Sequence, residues 1–296
     1  MCSSVRGRAW IWPALAALAL LAACGTSDEA VRGGGTVGWG GLGGTGAVGP
    51  GGTAGGGGGG PGGQAGAAGA GTGASGGGGG SAAAGVDPSN GSGGPLGPGQ
   101  SGATPKGAIV RLPAGYDPNV LASPVLWLFN EELPQWSAIA DQDAVVLVDL
   151  DEYNDVDAIV GKLNDSLDVL EAQYNVDKAR YYWAGWSAGG NLAIIIGAQN
   201  QEGLAGTLVF PGTGGNIAQP YMKANKGHKI RMFYACGDQD ANYPWQAVQN
   251  EAQVWASYGY ATEFANVPGS GHYIDEVQTG IRAQGWAWIK SFNLKN

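Results

Sequence analysis

From Gly33 to about Gly102 the chain is glycine with alanine, serine, threonine and proline, and it carries almost no side chain large enough to bury. Such a stretch has nothing to set against the entropy of ordering it, so it cannot build a core. No Gly-Lys-Ser/Thr follows the glycines, and glycine does not recur strictly at every third position. A phosphate loop and a collagen triple helix are thereby excluded. The expectation is a disordered Gly-rich linker whose root-mean-square span, for about 70 residues, is roughly 45 Å. Folding is left to the remaining ~190 residues, enough for one domain with a sizeable core.

The amino terminus carries an address. Arg6 and Arg8 precede the apolar run Ala9 to Ala23, too short and too abruptly ended for a spanning helix, which reads as a secretory signal. Leu21-Ala22-Ala23-Cys24 resembles the lipobox of bacterial lipoproteins. That resemblance implies cleavage before Cys24 and a lipid anchor on its sulfur and amine, holding the protein to a membrane of the bacterial cell envelope, outer membrane or surface. The expected organisation is a signal peptide over 1–23, a lipidated terminus and linker over 24–102, and a folded domain over 103–296. Of three cysteines, Cys2 leaves with the signal and Cys24 is lipidated, so Cys236 alone remains and no disulfide is expected. Cys236 reads as a small buried packing residue.

Within the domain, apolar runs predict strands at about 109–112, 125–129, 144–150, 180–184, 207–210, 230–236 and 262–267. The runs at 144–150 and 207–210 are almost continuously apolar, as in parallel strands covered on both faces. Helices alternate with them: Val156, Ile159, Val160, Leu163, Leu167 and Leu170 recur at helical spacing, and further helices are predicted at about 244–258 and 281–292. The fold class is α/β, a mostly parallel sheet sandwiched by helices. No insertion is long enough for a separate lid, so an open cleft is expected.

Gly185-Trp186-Ser187-Ala188-Gly189 lies between a predicted strand and a predicted helix. At a strand–turn–helix elbow a serine is held exposed in a strained conformation, and small neighbours are required because a Cβ would collide with the adjoining backbone. Ser187 is therefore the candidate nucleophile, and it needs a base. Only two histidines exist. His228 falls at the amino end of a predicted strand, away from the edge where ligands gather in parallel sheets, and reads as a solvated surface residue. His272 follows a strand through Pro268-Gly269-Ser270-Gly271 and is the expected base. Cys236-Gly237-Asp238-Gln239-Asp240 supplies the acid, with Asp240 preferred and Asp238 assigned to the turn.

The order Ser187, Asp240, His272 is that of the α/β-hydrolase family. The chain from about Lys106 to Asn296 resembles that family's esterase and polyhydroxybutyrate-depolymerase-like group. The likeness rests on Val110-Arg111-Leu112-Pro113-Ala114-Gly115-Tyr116-Asp117-Pro118, and on Tyr174-Asn175-Val176-Asp177 leading through Arg180 to Gly185-Trp186-Ser187-Ala188-Gly189-Gly190. It implies hydrolysis of a carboxylic ester through an acyl-serine, without cofactor or metal. The sequence departs from the family after the third strand, where a His-Gly-rich turn is replaced by Asn130-Glu131-Glu132-Leu133-Pro134. The Ala188 amide supplies one oxyanion donor; the second is either the Glu131 amide or the Asn130 side chain, with Glu131 and Glu132 expected to point to solvent.

Lys and Arg number 15 against 24 Asp and Glu, and the net charge of −9 falls mostly on the domain. Nucleic acid is excluded as a partner. Asp149, Asp151, Tyr153, Asn154, Asp155 and Asp157 superficially suggest a calcium loop, but Asn154 holds its glycine position and Val160 its closing acid position. Trp186, Trp136, Tyr243, Trp245 and Tyr273 fall on or beside the active-site loops and are candidates for an apolar or aromatic substrate wall, core packing being the alternative for each. Two function classes follow: a tethered serine esterase acting on small or polymeric esters, and a non-catalytic surface lipoprotein using the fold as a binding module. A peptidase or thioesterase with the same triad is a lesser alternative.

Overall fold

The computed structural model describes residues 86–151 and 155–295. The signal peptide, Cys24 and the linker as far as residue 85 lie outside them. The described elements are β1 (Ser101–Ala103), β2 (Ile109–Arg111), β3 (Ser123–Phe129), α1 (Leu133–Asp143), β4 (Val146–Asp149), α2 (Val156–Gln173), β5 (Val176–Gly185), α3 (Ala188–Gln199), β6 (Gly206–Val209), α4 (Gly215–Ala224), β7 (Arg231–Gly237), α5 (Trp245–Ser257), β8 (Thr262–Val267), α6 (Glu276–Thr279) and α7 (Ile281–Ile289).

The strands form one sheet in the order β1-β2-β4-β3-β5-β6-β7-β8. β1 with β2 and β2 with β4 pair antiparallel; the other five pairings are parallel. This is the α/β-hydrolase arrangement expected from the sequence. Side chains alternate across the strands and divide the core into two layers. Val125, Trp127 and Phe129 of β3 join Tyr181 and Trp183 of β5 and Met232, Tyr234 and Cys236 of β7 beneath helices α2, α3, α4 and α5. Leu126, Leu128, Tyr182, Ala184, Phe233 and Ala235 face the other way, under α1 and α7. Helix α2 begins at Asp155, whose carboxylate accepts from the Ala158 amide as an N-cap.

Two boundaries differ most from the sequence expectation. β5 starts at Val176 rather than Arg180. Residues 86–102, assigned by sequence to the linker, are held on the domain: Ser89 donates from its amide to the Val176 carbonyl, the Lys178 amide donates to Asp87, and β1 pairs with β2. The Asp87 amide also donates to Asp177, a fully buried carboxylate at the amino end of β5. These bonds are backbone-driven, so a composition poor in apolar residues gave no signal for them.

Candidate active site

Ser187 sits between β5 and α3 with φ 55° and ψ −121°, a sparsely populated conformation for a non-glycine residue. The glycines around it follow from crowding. A Cβ on Gly185 would lie 2.4 Å from the Gly189 carbonyl oxygen, one on Gly189 would lie 1.9 Å from that of Phe129, and one on Gly190 would lie 2.6 Å from that of Pro211. No side chain fits at any of the three, so the motif's spacing is imposed by helix α3 pressing on the ends of β3 and β6.

The other two groups arrive on loops after β7 and β8, at the same carboxyl edge of the sheet. Ser187 Oγ lies 2.9 Å from His272 Nε2, and His272 Nδ1 lies 3.0 Å from Asp240 Oδ2. The second oxygen of Asp240 accepts the amides of Asn242 and Tyr243 at 2.8 and 3.0 Å. Burial alone would raise the Asp240 carboxyl, but the bond to His272 and those two amides hold it below the ordinary carboxylate value. Asp238 instead accepts the Gly269 amide at 2.8 Å, tying its loop to the turn before His272.

His228 is not near this cluster. It is half-buried, with Nε2 3.1 Å from the Leu204 carbonyl oxygen, and not the solvated residue expected from sequence. Cys236 is fully buried and its thiol is pushed up to about 12, first by burial and then by the Asp240 charge.

The turn after β3 differs most from expectation. Asn130 adopts φ 54°, tolerable for asparagine in the left-handed region, and its side chain donates to the Trp186 carbonyl at 3.3 Å. That side-chain amide is thus engaged in bracing the elbow. Neither the Glu131 nor the Ala188 amide is taken by an acceptor among the described residues. Glu132 is exposed, but the Glu131 side chain turns inward rather than to solvent. Its oxygens accept from Arg282 Nε at 2.9 Å and Nη2 at 3.1 Å and from Trp136 Nε1 at 3.1 Å. Burial pushes the Glu131 carboxyl up, against the guanidinium and the indole, which favour its charged form. An arginine stays protonated, so the fork supplies the countercharge that a buried carboxylate requires. Sequence reasoning missed Arg282; a single arginine in the apolar stripe Ile281, Gly285, Trp286 and Ile289 was the available signal.

Of the five aromatic residues, three reach the site. The Tyr243 ring is parallel to the His272 imidazole within 4°, with centroids 5.6 Å apart. Trp186 lies 4.9 Å from the same imidazole, and Tyr273, exposed beside it, meets the Trp186 ring edge at 6.3 Å. The other two are corrections. Trp136 is fully buried in the core against Phe210, and Trp245 stacks on Phe264 of β8. Both side chains fill space under the loops, since the helices that carry them turn those positions toward the sheet.

Residues 130–284 match the model of the dienelactone hydrolase family. No curated protein matches the chain by sequence. Among solved structures, a ferulic acid esterase from Anaeromyces mucronatus, in complex with ferulic acid, superposes with a TM-score of 0.50 at 15% identity, over 65% of this chain and 89% of that one. A candidate dipeptidyl aminopeptidase IV from Bacteroides ovatus gives 0.52 at 11% identity, over 65% of this chain and 35% of that one. A thermostable esterase gives 0.49 at 14% identity, over 66% and 62%. The chain thus spans less than two thirds of the length of two of these. At such identities the likeness is one of fold.

Proposed function

The chain belongs to the dienelactone hydrolase family, and from that premise we propose that it is a serine carboxylic-ester hydrolase working through an acyl-serine. The observation that carries the reading is the continuous line of hydrogen bonds from Ser187 through His272 to Asp240 at a strained elbow. In this mechanism His272 Nε2 takes the Ser187 proton as Oγ attacks the ester carbonyl carbon. The carbonyl oxygen gains the negative charge and is met by the amides of Ala188 and Glu131. Asp240 holds the imidazole orientation and stabilises the imidazolium. His272 then gives its proton to the departing alkoxide, leaving an acyl-Ser187. Water enters, loses a proton to His272 and releases the acid, and Ser187 is reprotonated.

The inward Glu131 bears on the alternative of a non-catalytic binding module. A lone carboxylate beside the oxyanion position would oppose developing charge; one forked to Arg282 has its countercharge in place. The turn therefore supports catalysis. Tyr273 offers an exposed aromatic surface beside the triad, so small aryl and hydroxycinnamoyl esters are the first substrates to assay. A p-nitrophenyl ester panel on the full-length chain tests the reading: turnover lost in Ser187→Ala supports it, and an inactive wild type that binds ester ligands favours the binding module.

We also propose that the enzyme is lipid-anchored at Cys24 in the bacterial cell envelope, at the outer membrane or cell surface. The described strap supports a workable geometry. Residues 86–89 are pinned at the amino end of β5, whereas Ser187 follows its carboxyl end. Nine strand steps at ~3.3 Å separate the two by roughly 30 Å, so the first described residues lie at the end of β5 away from Ser187. Partitioning into detergent that is abolished by Cys24→Ala tests the anchor; unchanged partitioning refutes it.

A further inference from the structure

Trp186 and Tyr243 both pack against the His272 imidazole. Trp186 Nε1 donates to the His272 backbone carbonyl at 3.0 Å, and its ring lies against the imidazole at 4.9 Å. The residue directly before the nucleophile therefore grips the base by both backbone and ring. Tyr243 stacks parallel to the imidazole from the loop that also carries Asp240. Its hydroxyl accepts from Asn191 Nδ2 at 2.9 Å, and Asn191 Oδ1 accepts the Thr213 amide at 2.7 Å. Asn191 lies in the first turn of the elbow helix α3, so the Tyr243 ring is anchored to the element that positions Ser187.

We propose that Trp186 and Tyr243 are positioning residues for His272, clamping the imidazole between Ser187 and Asp240 and favouring its charged form in the transition state. The inference rests on the triad reading above and reassigns these two aromatics from the substrate wall. An imidazole on a loop has rotamer freedom that must be lost before it can accept the Ser187 proton, and aromatic contacts remove it in advance. An aromatic face also attracts a cation, and the imidazolium exists only while the tetrahedral species and its transition states form. Stabilisation confined to that stage raises kcat and leaves ground-state binding unchanged. Among the described residues, Asp240 is the charged partner bonded to the ring, with Ser187, Tyr243 and Trp186 as neutral neighbours.

Tyr243→Phe and Tyr243→Leu separate clamp from wall in the full-length chain. Phenylalanine keeps the ring and loses the hydroxyl that meets Asn191; leucine removes the ring. With a p-nitrophenyl ester, Tyr243→Leu is expected to lower kcat roughly 5- to 30-fold with KM unchanged within about twofold, and Tyr243→Phe, which keeps the stacked ring but not its tie to Asn191, to lower kcat by a clearly smaller factor. Histidine-selective labelling gives a second readout that needs no activity, because the chain holds only two histidines. One of them should show ring protons displaced upfield by the stacked aromatics, relaxing downfield in Tyr243→Leu but not in Tyr243→Phe. A rise in KM with kcat preserved, or wild-type ring protons at free-histidine positions, would overturn the clamp. Absence of Ser187-dependent turnover would instead overturn the esterase reading, with the resonances still deciding the clamp.

Discussion

Arg282 and Glu131, 151 positions apart, form a fully buried two-pronged ion pair, Nε to Oε2 at 2.9 Å and Nη2 to Oε1 at 3.1 Å. Arg282 also donates from Nη1 to the Ile274 carbonyl at 3.0 Å. One side chain thus joins the turn after β3 to the loop that carries His272. The replacement of a glycine-rich turn by Asn130-Glu131-Glu132 makes physical sense in this light: the glutamate is a strut that fixes the turn's backbone, and its charge is met by Arg282.

Glu131→Gln is expected to destabilise the domain by about 3–5 kcal/mol, because it leaves a buried guanidinium without its countercharge. Glu132→Gln, on the exposed neighbour, should change stability by less than about 0.5 kcal/mol. Urea midpoints of the two variants check this, and equal, small effects would mean that the pair contributes nothing to folding.

Asp240→Asn should lower kcat by about 10³–10⁴-fold, since it loses the group that orients and charges the imidazole. Asp238→Asn should cost far less, because Asp238 serves the Gly269 amide. The reverse ranking in steady-state rates would transfer the role.

Asp240 also gives a pH signature. Its folded-state pKa is lowered, so its contribution to stability is complete above the ordinary carboxylate value near 4 and is lost as pH falls through the lowered value. The stability difference between wild type and Asp240→Asn should therefore shrink between about pH 5 and pH 3. A difference that grows on acidification in urea melts would contradict the assignment.

Cys236, with a thiol pushed up to about 12, stays protonated and buried at neutral pH. Iodoacetamide should leave it unmodified in the native protein, and Cys236→Ala should keep esterase turnover within a few-fold. Rapid alkylation with loss of activity would point to a thiol role in the reaction.

The cluster of Ser187, His272 and Asp240 was readable because each residue leaves a local mark. The elbow shows in small residues at 185, 188, 189 and 190, the histidine in a choice of two, the acid in its distance from the glycine that ends β7. The orientation of Glu131 was not readable, because it is decided by Arg282 on a helix near the other end of the domain. Trp136 and Trp245 failed for the same reason: sequence puts them near the site, but the helix face they occupy turns them into the core and onto Phe264. β1 escaped notice because Ser101-Gly102-Ala103 has no apolar alternation, and its pairing with β2 is a backbone matter.

The central claim is that Ser187 acts as a nucleophile activated by His272. Incubation of the folded full-length chain with a fluorophosphonate probe, followed by mass mapping of the adduct, measures this directly. Labelling at Ser187 in the wild type and none in Ser187→Ala is the expected result; an unlabelled wild type, or equal labelling of both proteins, would contradict it.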